Sequence, residues 1–361
     1  MASRSIFNKP FDEGTLSKLE IFENYFREWL PVFVSPQKVY WENIQIFDFF
    51  SGAGRDCNNV QGSPLIILKV INEYASFINS KKLKVRIVLN ELNVDYHAAL
   101  LKNIQEFELV ANVNVEIFNL PFALVFENEF SKMANSANFL FLDQNGIKEI
   151  TSDVFKRITS LKTTDFLFFI SSSFFKRFSD TPEFSSYFPF TRDEIVNTDF
   201  YHIHRKVLGY YKSLIPVDKA YYLAPFSIKK IKNIYGLIFG TNHTFGIEKF
   251  LNVAWKLDKL RGEANYDIDN EKISTNAPFL FEELSKPTKR QLFEDNFEKL
   301  IINGTLKSNT EAYSFALNEG FQLKDANQVL RKLIKSKKIS LNSSLINEKL
   351  HKCLSENIVV L

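Results

Sequence analysis

Two glycines directly after an apolar run form the most informative local pattern of this sequence. The run that begins at Ile44 predicts a buried strand, and the residues that follow predict a tight turn from Asp48 to Gly54. Because glycine has no Cβ, Gly52 and Gly54 allow the backbone to pass close to a bound molecule. A strand that ends in such a turn is typical of sites for nucleoside derivatives.

The spacing of this turn separates two classes of nucleoside cofactor. The pattern Asp-x-Phe-x-Gly-x-Gly resembles the first motif of S-adenosylmethionine (SAM) methyltransferases. A dinucleotide-binding fold would have a third glycine three residues after Gly54, where Cys57 stands instead. We therefore favour SAM, with a dinucleotide as the alternative. The residues predicted to bind SAM at this turn are Asp48, Ser51, Gly52 and Gly54.

Two further polar residues follow the next predicted strands. Residues 85–90 predict the second strand, and Glu91 stands at its carboxyl end, where a carboxylate can accept both hydroxyls of a ribose. Asn90 is the near alternative for that role. Asn119 follows the third predicted strand, residues 113–118, and is placed either to hydrogen-bond an adenine edge or to form a turn.

The fourth predicted strand, residues 139–142, delivers Asp143 to the same place in the sheet. Strands that alternate with helices form a parallel sheet, and the ligands of such sheets lie beyond the carboxyl ends of the strands. In that site Asp143 is the candidate catalytic residue, because a carboxylate can orient or deprotonate a methyl-accepting nucleophile. The residues expected together at this edge are Asp48, Ser51, Glu91, Asn119 and Asp143.

Two helices are predicted beside the glycine turn. Residues 15–30 carry apolar side chains at helical spacing, which predicts a helix that ends before Pro31. Lys18 of this helix could reach the cofactor or the substrate. Residues 63–79 predict a second helix, with Ser63 as its N-cap.

The strand pattern predicts an α/β fold with a Rossmann-like SAM methyltransferase sheet. After the fifth strand, at residues 166–170, the runs 220–228 and 234–240 look like two strands with no helix between them. Consecutive strands of this kind pair antiparallel. A terminal antiparallel strand in an otherwise parallel sheet distinguishes methyltransferases from dinucleotide dehydrogenases. We therefore assign a methyltransferase-like domain to residues 1–262.

A segment rich in aromatic residues interrupts this pattern at residues 171–214. Cations beside aromatic rings suit base stacking and phosphate contact. The segment is therefore either a wall of a substrate site or a small local core in a chain that contains 37 phenylalanines. The cations between its aromatic residues are Lys176, Arg177, Arg192 and Arg205.

Composition limits the class of protein. The chain has 361 residues, of which 45% are hydrophobic, enough for a large α/β domain with an appendage. Its cysteines, Cys57 and Cys353, lie far apart, so neither a disulfide framework nor a metal site is predicted. No signal-type apolar core follows the first residues, and no run of about 18 uncharged apolar residues occurs. We therefore expect a soluble, cytoplasmic protein.

The C-terminal part of the chain carries the positive charge. The net charge is +3, and residues 285–361 contain 13 Lys and Arg against 8 Asp and Glu. A polar linker at 263–288 precedes three predicted helices and a strand at 338–341, which is the order of a winged helix-turn-helix domain, assigned to 289–361. Cations at the end of the third helix predict nucleic-acid contact, with a winged helix that contacts only protein as the alternative. These cations are Arg331, Lys332, Lys335, Lys337 and Lys338.

From about residue 16 to residue 341, the sequence resembles the three-Cys-motif partner (TcmP) protein family. The resemblance implies a Rossmann-like methyltransferase domain fused to a winged helix. It also implies a protein partner with a three-cysteine motif that looks like a radical-SAM iron–sulfur enzyme. The motifs that carry the resemblance are Asp-Phe-Phe-Ser-Gly-Ala-Gly at 48–54, Gly-Ser-Pro at 62–64, Phe-Leu-Asp-Gln-Asn-Gly at 141–146, Phe-Gly-Thr-Asn-His at 239–243 and Trp-Lys-Leu-Asp at 255–258.

The predicted activity is SAM-dependent methyl transfer to nucleic acid, which the basic C-terminal domain would deliver. Methyltransferases that act on exocyclic amines use Asp/Asn-Pro-Pro-Tyr/Phe after strand four, whereas Asp143 is followed by Gln-Asn-Gly. The acceptor therefore stays open. The alternative function is a catalytically inactive adaptor that senses SAM or a nucleotide and docks its partner on nucleic acid. A component of phage defence is a third hypothesis, since conflict with foreign nucleic acid explains a winged helix joined to a modifying domain.

Overall fold

The computed structural model describes residues 9–144, 146–181, 184, 187–230, 233–271, 287–341, 346, 348–352 and 355–361. The chain divides into two units. The first comprises Met1–Tyr221 and Ser227–Asn242, and the second comprises Tyr222–Phe226 and His243–Leu361. Most of the predicted linker, residues 272–286, lies outside the described residues. Within the part of the chain that is described, no helix is long and apolar enough to cross a membrane.

A seven-stranded sheet is the framework that positions the predicted site. Its strands are β1 (Asn43–Asp48), β2 (Lys84–Asn90), β3 (Val113–Phe118), β4 (Ala137–Leu142), β5 (Thr164–Ser171), β6 (Tyr222–Lys230) and β7 (Asn233–Thr241). They lie in the order β3-β2-β1-β4-β5-β7-β6. The first five strands pair in parallel, and β7 pairs antiparallel with β5. The predicted Rossmann-like α/β sheet with an antiparallel strand near its end is therefore confirmed.

The strand order changes direction between β1 and β4. Strands β2 and β3 lie on one side of β1, whereas β4 and β5 lie on the other. In register, Asp48 at the end of β1 lies beside Leu89 of β2 and Phe141 of β4. A crevice forms at the carboxyl ends of the strands where such a change occurs, and this is where open α/β sheets bind their ligands.

The described residues of the first unit include nine helices. Helix α1 continues through Pro31 to Val34, so the predicted end before Pro31 was wrong. Proline removes only one N–H from the last turns, and Val34 is buried beyond it, so packing retains the helix. The helices are α1 (Glu13–Val34), α2 (Ser63–Glu73), α3 (Ala75–Ser80), α4 (Val94–Gln105), α5 (Phe122–Phe130), α6 (Ser152–Ser160), α7 (Ser172–Phe178), α8 (Arg192–Asn197) and α9 (Ile203–Ser213).

Helix α2 begins differently from its prediction. Gly62 is the N-cap residue, and Ser63 is the first helical residue, so the assignment of Ser63 as N-cap was wrong. The Ser63 hydroxyl instead donates to the buried carboxylate of Asp48 at 2.6 Å. This contact joins the start of the helix to the end of β1. A buried carboxylate without a hydrogen-bond donor is costly, so the Ser63 hydroxyl donates to Asp48 and does not cap the helix.

Aromatic and polar contacts fix α1 on the sheet. The ring centroid of Phe22 lies 4.3 Å from that of Phe141 on β4. The Tyr25 hydroxyl donates to one oxygen of the buried Asp165 carboxylate at 2.5 Å, and the Thr241 hydroxyl donates to the other oxygen at 2.5 Å. These contacts hold the middle of helix α1 against β4 and β5.

The aromatic insertion at residues 171–214 contains a small core of its own. Phe175, Phe184 and Phe188 are buried, and the Phe175 centroid lies 5.2 Å from that of Phe184 and 4.8 Å from that of Phe188. These rings therefore form the local core of the insertion and do not face a ligand site. Phe174 differs, because it lines the cleft described below.

Apart from Tyr222–Phe226 of β6, the second unit consists of helices and a small antiparallel sheet. The centroids of Phe293 and Phe321 lie 3.9 Å apart in its core. The helix that follows β7 belongs to this unit, although we expected it in the first domain. Three helices followed by a strand agree with the predicted element order, and the winged-helix assignment stays a prediction. The elements are α10 (Thr244–Leu257), α11 (Lys289–Ile302), α12 (Asn309–Asn318), α13 (Leu323–Lys335), β8 (Ile339–Ser340) and β9 (Val359–Val360).

Candidate functional site

A cleft of about 750 Å³ lies at the carboxyl ends of β1, β2, β4 and β5. The first turns of α1 form another wall of it. Three residues that the sequence predicted for this site do not line the cleft: Asp48, Gly54 and Asn119. The predicted residues that do line it are Ser51, Gly52, Glu91 and Asp143.

The carboxylate of Glu91 joins the glycine turn to the end of β2. Gly52 has φ 62° and donates its N–H to Oε2 of Glu91 at 2.8 Å. The N–H of Asn93 donates to Oε1 at 2.8 Å. Each carboxylate oxygen keeps a second lone pair. Because Glu91 also lines the cleft, these lone pairs can accept two hydroxyl groups of a ligand.

Asp48 is fully buried below the glycine turn. Its carboxylate accepts from the Ser63 hydroxyl at 2.6 Å and from the N–H of Phe50 at 3.3 Å. Burial raises the pKa of Asp48 to about 7, since these two hydrogen bonds only partly oppose it and the charges of Asp143 and Glu91 add to it. Asp48 therefore holds the turn in place, and its direct contact with a cofactor stays a prediction.

The loop after the glycine turn closes on itself. The N–H of Gly62 donates to the carbonyl of Gly54 at 2.7 Å, and a Cβ at Gly62 would lie 3.1 Å from that oxygen. Gly54 has φ 85°, a conformation that side chains disfavour. The buried Asp56 accepts from the N–H of Phe11 at 2.7 Å. This bond ties the loop to the segment before α1.

Two asparagines at the strand ends hold neighbouring backbone segments. Asn90 donates to the carbonyls of Phe49 at 3.2 Å and Leu120 at 3.0 Å. Asn119 donates to the carbonyl of Glu91 at 2.7 Å. Asn119 thus supports the segment that carries Glu91, and its contact with an adenine stays a prediction.

Lys18 of α1 forms a salt bridge with Asp143 inside the cleft. The two residues are 125 positions apart in the sequence. The Lys18 Nζ also lies 5.2 Å from the ring centroid of Phe169 on β5. The side chains of Lys18 and Asp143 are 18% and 27% exposed, so a ligand in the cleft can reach both. Lys18 was a candidate for the site from its position in the sequence, but its partner Asp143 is visible only in the structure.

The loop after β4 forms a backbone support beside the cleft. The buried Gln144 donates its amide to the carbonyl of Phe169 at 3.2 Å and accepts from the N–H of Glu149 at 3.0 Å. Burial raises the pKa of Glu149, which lines the cleft. Gly146 has φ 106°, and Asn145 lies outside the described residues. Gln144 therefore fixes the loop and offers no ring to hold a base.

The cleft contains residues that sequence reasoning missed. Lys230, at the end of β6, forms a 2.7 Å ion pair with Asp12, the N-cap of α1. Its stem lies so close to α1 that a Cβ at Gly14 would be 2.7 Å from the Lys230 Cβ. Its Nζ lies 5.6 Å from the ring centroid of Tyr235, which also lines the cleft. The basic residues around position 230 are visible in the sequence, but only the pairing of β7 antiparallel to β5 shows that Lys230 lies at this edge.

The five predicted nucleic-acid contacts lie at the end of α13 and in the turn after it. Lys332 pairs with Glu294 of α11 at 2.9 Å, and Lys338 pairs with Glu298 at 2.8 Å. Lys337 has φ 58° and forms the turn. Two of the predicted contacts are thus partly neutralised by carboxylates of the same unit.

A shallow basic groove runs along α13 within the second unit. Arg331, Lys332 and Lys335 from the predicted set line it together with Lys324. Lys324, Arg331 and Lys335 recur at helical spacing on one face. Arg290, which also lines the groove, forms a salt bridge with Asp325. Lys324 was not among the predicted contacts, although its helical spacing from Arg331 and Lys335 indicates that it lies on the same face.

No protein-family model matches the sequence, and no curated protein matches it. Among solved structures, the chain is similar to P. horikoshii TYW2 in complex with MeSAdo, at 10% identity and a TM-score of 0.29. The match covers 64% of this chain and 63% of the TYW2 chain, which is less than two thirds of the latter.

Two other solved structures show a similar level of likeness. The O-methyltransferase from Bacillus cereus in complex with SAH is 14% identical with a TM-score of 0.32, over 64% of this chain and 91% of that chain. The B. subtilis tRNA methyltransferase TrmK is 10% identical with a TM-score of 0.31, over 90% of this chain and 99% of that chain.

Proposed function

We propose that the chain is a SAM-dependent methyltransferase that acts on nucleic acid. The hydrogen bond from the Gly52 N–H to the Glu91 carboxylate carries this proposal. It places an acceptor for ribose hydroxyls directly beside Gly52, which has no side chain, so the rest of a nucleoside can approach the backbone there. The order of the sheet, with β7 antiparallel to β5, supports a methyltransferase over a dinucleotide dehydrogenase.

The cleft residues fit SAM in size and charge. A volume of about 750 Å³ lies within the usual range for small-molecule sites. Glu91 would accept the ribose hydroxyls, and Ser51 and Gly52 would lie beside the methionine part. When bound, SAM supplies a methyl group on a positively charged sulfur, which the carboxylates of Glu91 and Asp143 favour electrostatically. Asp143 would orient the nucleophile or take its proton.

The second unit would deliver the substrate. Arg331 and Lys335, with Lys324 on the same face of α13, form a basic groove suited to a phosphate backbone. We assign residues 289–361 to a winged helix on the basis of its element order. The resemblance to TcmP proteins adds an expected partner, a three-cysteine-motif radical-SAM-like protein, and phage defence is a setting in which such a pair would act.

Calorimetric titration of the purified protein with SAM and with S-adenosylhomocysteine tests the cofactor site. We expect binding in the micromolar range, and a loss of at least about tenfold in affinity for Glu91→Ala, because a ribose-binding carboxylate contributes more than 1 kcal/mol. Glu20→Ala is the matched control, since Glu20 is exposed on α1 and does not line the cleft. Absence of binding by the unmodified protein would contradict the proposal.

One observation favours a second function, a SAM-sensing adaptor without turnover. Asp143 is already in a salt bridge with Lys18, and Gln144 binds backbone groups instead of a substrate base. Such an adaptor binds SAM and docks its partner on nucleic acid, but it makes no methylated product. Detection of a methylated product with the purified protein would eliminate the adaptor, whereas Glu91-dependent binding without product would support it.

A further inference from the structure

We infer, on the basis of the proposed function, that the methyl acceptor is a hydroxyl group, and therefore the ribose of RNA. The observation behind this inference is that two lysines from distant segments line the cleft with Asp143. Lys18 comes from α1 and forms a salt bridge with Asp143, and Lys230 comes from the end of β6. No part of the cofactor proposal requires either lysine.

Each ammonium group is held in place by a carboxylate and an aromatic ring. Lys18 pairs with Asp143 and lies 5.2 Å from the Phe169 ring centroid. Lys230 pairs with Asp12 at 2.7 Å and lies 5.6 Å from the Tyr235 centroid. Positioned charges of this kind stabilise charge that develops on a reacting atom.

The sign of that charge distinguishes the acceptors. An amine nitrogen becomes more positive as it takes a methyl group, so neighbouring ammonium groups oppose the reaction. A hydroxyl oxygen gives up its proton and carries negative charge as it attacks, so the same ammonium groups favour it. Glu91 and Glu149 also line the cleft, but Lys18 is the charge in direct contact with Asp143, so the ammonium group beside the proposed base favours oxygen over nitrogen.

The loop after β4 agrees with this choice. A flipped base whose amine is methylated is held by a carboxamide or carboxylate and a stacked ring at this position. Here Gln144 is buried and bound to the carbonyl of Phe169 and the N–H of Glu149. Within a nucleic-acid strand, hydroxyl groups occur on the ribose of RNA and not on DNA, so an oxygen acceptor makes RNA the substrate.

The reaction balances without a further reactant. The ribose oxygen forms a bond to the methyl carbon while the bond from that carbon to sulfur breaks, and its electron pair stays on sulfur. The hydroxyl proton passes to the Asp143 carboxylate and from there to water. Lys18 keeps the Asp143 carboxylate directed into the cleft and stabilises the oxygen as its proton leaves.

The test uses SAM with a radioactive methyl group, the full chain, and total bacterial RNA or total bacterial DNA as the acceptor. The products are digested to nucleosides and separated by chromatography. We expect label in ribose-O-methylated nucleosides from RNA. Label in base-methylated nucleosides or in DNA would overturn the inference, and so would no label in RNA with a protein that binds SAM. Failure to bind SAM at all would instead refute the proposed function.

Variants of Lys18 distinguish a role in methyl transfer from a purely structural role. Lys18→Met should lower the rate of methyl transfer by about 100-fold while the SAM affinity measured by calorimetry is unchanged. Lys18→Arg should restore part of the rate, because it keeps the charge. Lys69→Met is the matched control, since Lys69 is an exposed residue of α2 that does not line the cleft. A Lys18→Met protein with the unmodified rate would overturn the assignment.

Discussion

Gly52 and Glu91 are joined by a hydrogen bond of 2.8 Å, from the backbone N–H of the glycine to the carboxylate of the glutamate. The bond connects the turn after β1 to the end of β2, and the N–H of Asn93 binds the other carboxylate oxygen. The Glu91 side chain therefore holds both the turn after β1 and the segment after β2. The conformation of the turn thus depends on the two acceptor oxygens of this one residue.

Glu91→Gln should loosen this turn without unfolding the protein. A glutamine side chain has one acceptor oxygen, so the N–H of Gly52 or of Asn93 loses its partner at a cost of about 1 kcal/mol. Amide hydrogen exchange, followed by mass spectrometry of a peptide that spans Gly52, should be about five- to tenfold faster. Glu20→Gln is the control, and equal exchange in both variants would show that Glu91 does not hold the turn.

Gly54→Ala should destabilise the protein by about 1–2 kcal/mol. Gly54 has φ 85°, and an alanine is strained in this left-handed conformation. The added Cβ would also lie 3.3 Å from Leu100. The matched control is Gly209→Ala in the middle of α9, where a Cβ meets nothing within 4 Å.

Gly209→Ala should therefore stabilise the protein by about 0.5–1 kcal/mol through the helix propensity of alanine. Urea unfolding monitored by circular dichroism measures both changes. A Gly54→Ala protein as stable as the unmodified one would contradict the role of this glycine in the turn.

Asp48→Asn should change how stability depends on pH. Burial raises the pKa of Asp48 from 3.8 to about 7 in the folded state, so the folded protein holds this proton more tightly than the unfolded chain. The stabilising contribution is complete below pH 3.8 and is lost as the pH rises toward about 7. Across that window the free energy of unfolding falls by up to about 4 kcal/mol because of this group.

An asparagine at position 48 cannot lose a proton, so the free energy of unfolding of Asp48→Asn should fall less steeply over the same pH range. Urea unfolding at several pH values between 4 and 8 compares the two proteins. Asp295→Asn, which alters an exposed carboxylate of α11, should leave the pH profile unchanged. Parallel profiles for Asp48→Asn and the unmodified protein would show that Asp48 does not titrate in this range.

The double variant Arg331→Gln, Lys335→Gln should weaken nucleic-acid binding more than Lys332→Gln, Lys338→Gln. Lys332 also lines the groove on α13, but it pairs with Glu294 as Lys338 pairs with Glu298, so the second pair is already partly neutralised. Loss of two phosphate contacts lowers the salt dependence of log Kd by about 2. Fluorescence anisotropy with labelled RNA at several salt concentrations measures this slope, and equal slopes for the two double variants would contradict the role of the groove.

The sequence by itself determined the sheet and the edge at which the cleft lies. Strands are specified by short apolar runs, and the residue after each strand is its neighbour in the chain, so strand prediction alone places Glu91 and Asp143 at one edge. The glycine turn around Gly52 was equally visible, because backbone freedom is a property of the residue itself.

Two local predictions were wrong for reasons that lie in the tertiary structure. Helix α1 continues through Pro31 because Val34 packs beyond it, and Ser63 does not cap α2 because its hydroxyl donates to Asp48. In both cases a contact with a distant segment outweighed the local preference of the residue.

Only the tertiary structure decided which side chains share the cleft. It buried Asp48 below the turn, and it brought Lys18 to Asp143 and Lys230 to the same cleft from separate parts of the chain. Periodicity and turn propensity act over a few residues, whereas the partner of Lys18 lies 125 positions away. The direction of the Lys18 side chain depends on how α1 packs on β4 and β5. That packing is a property of the assembled core and not of any short stretch of sequence.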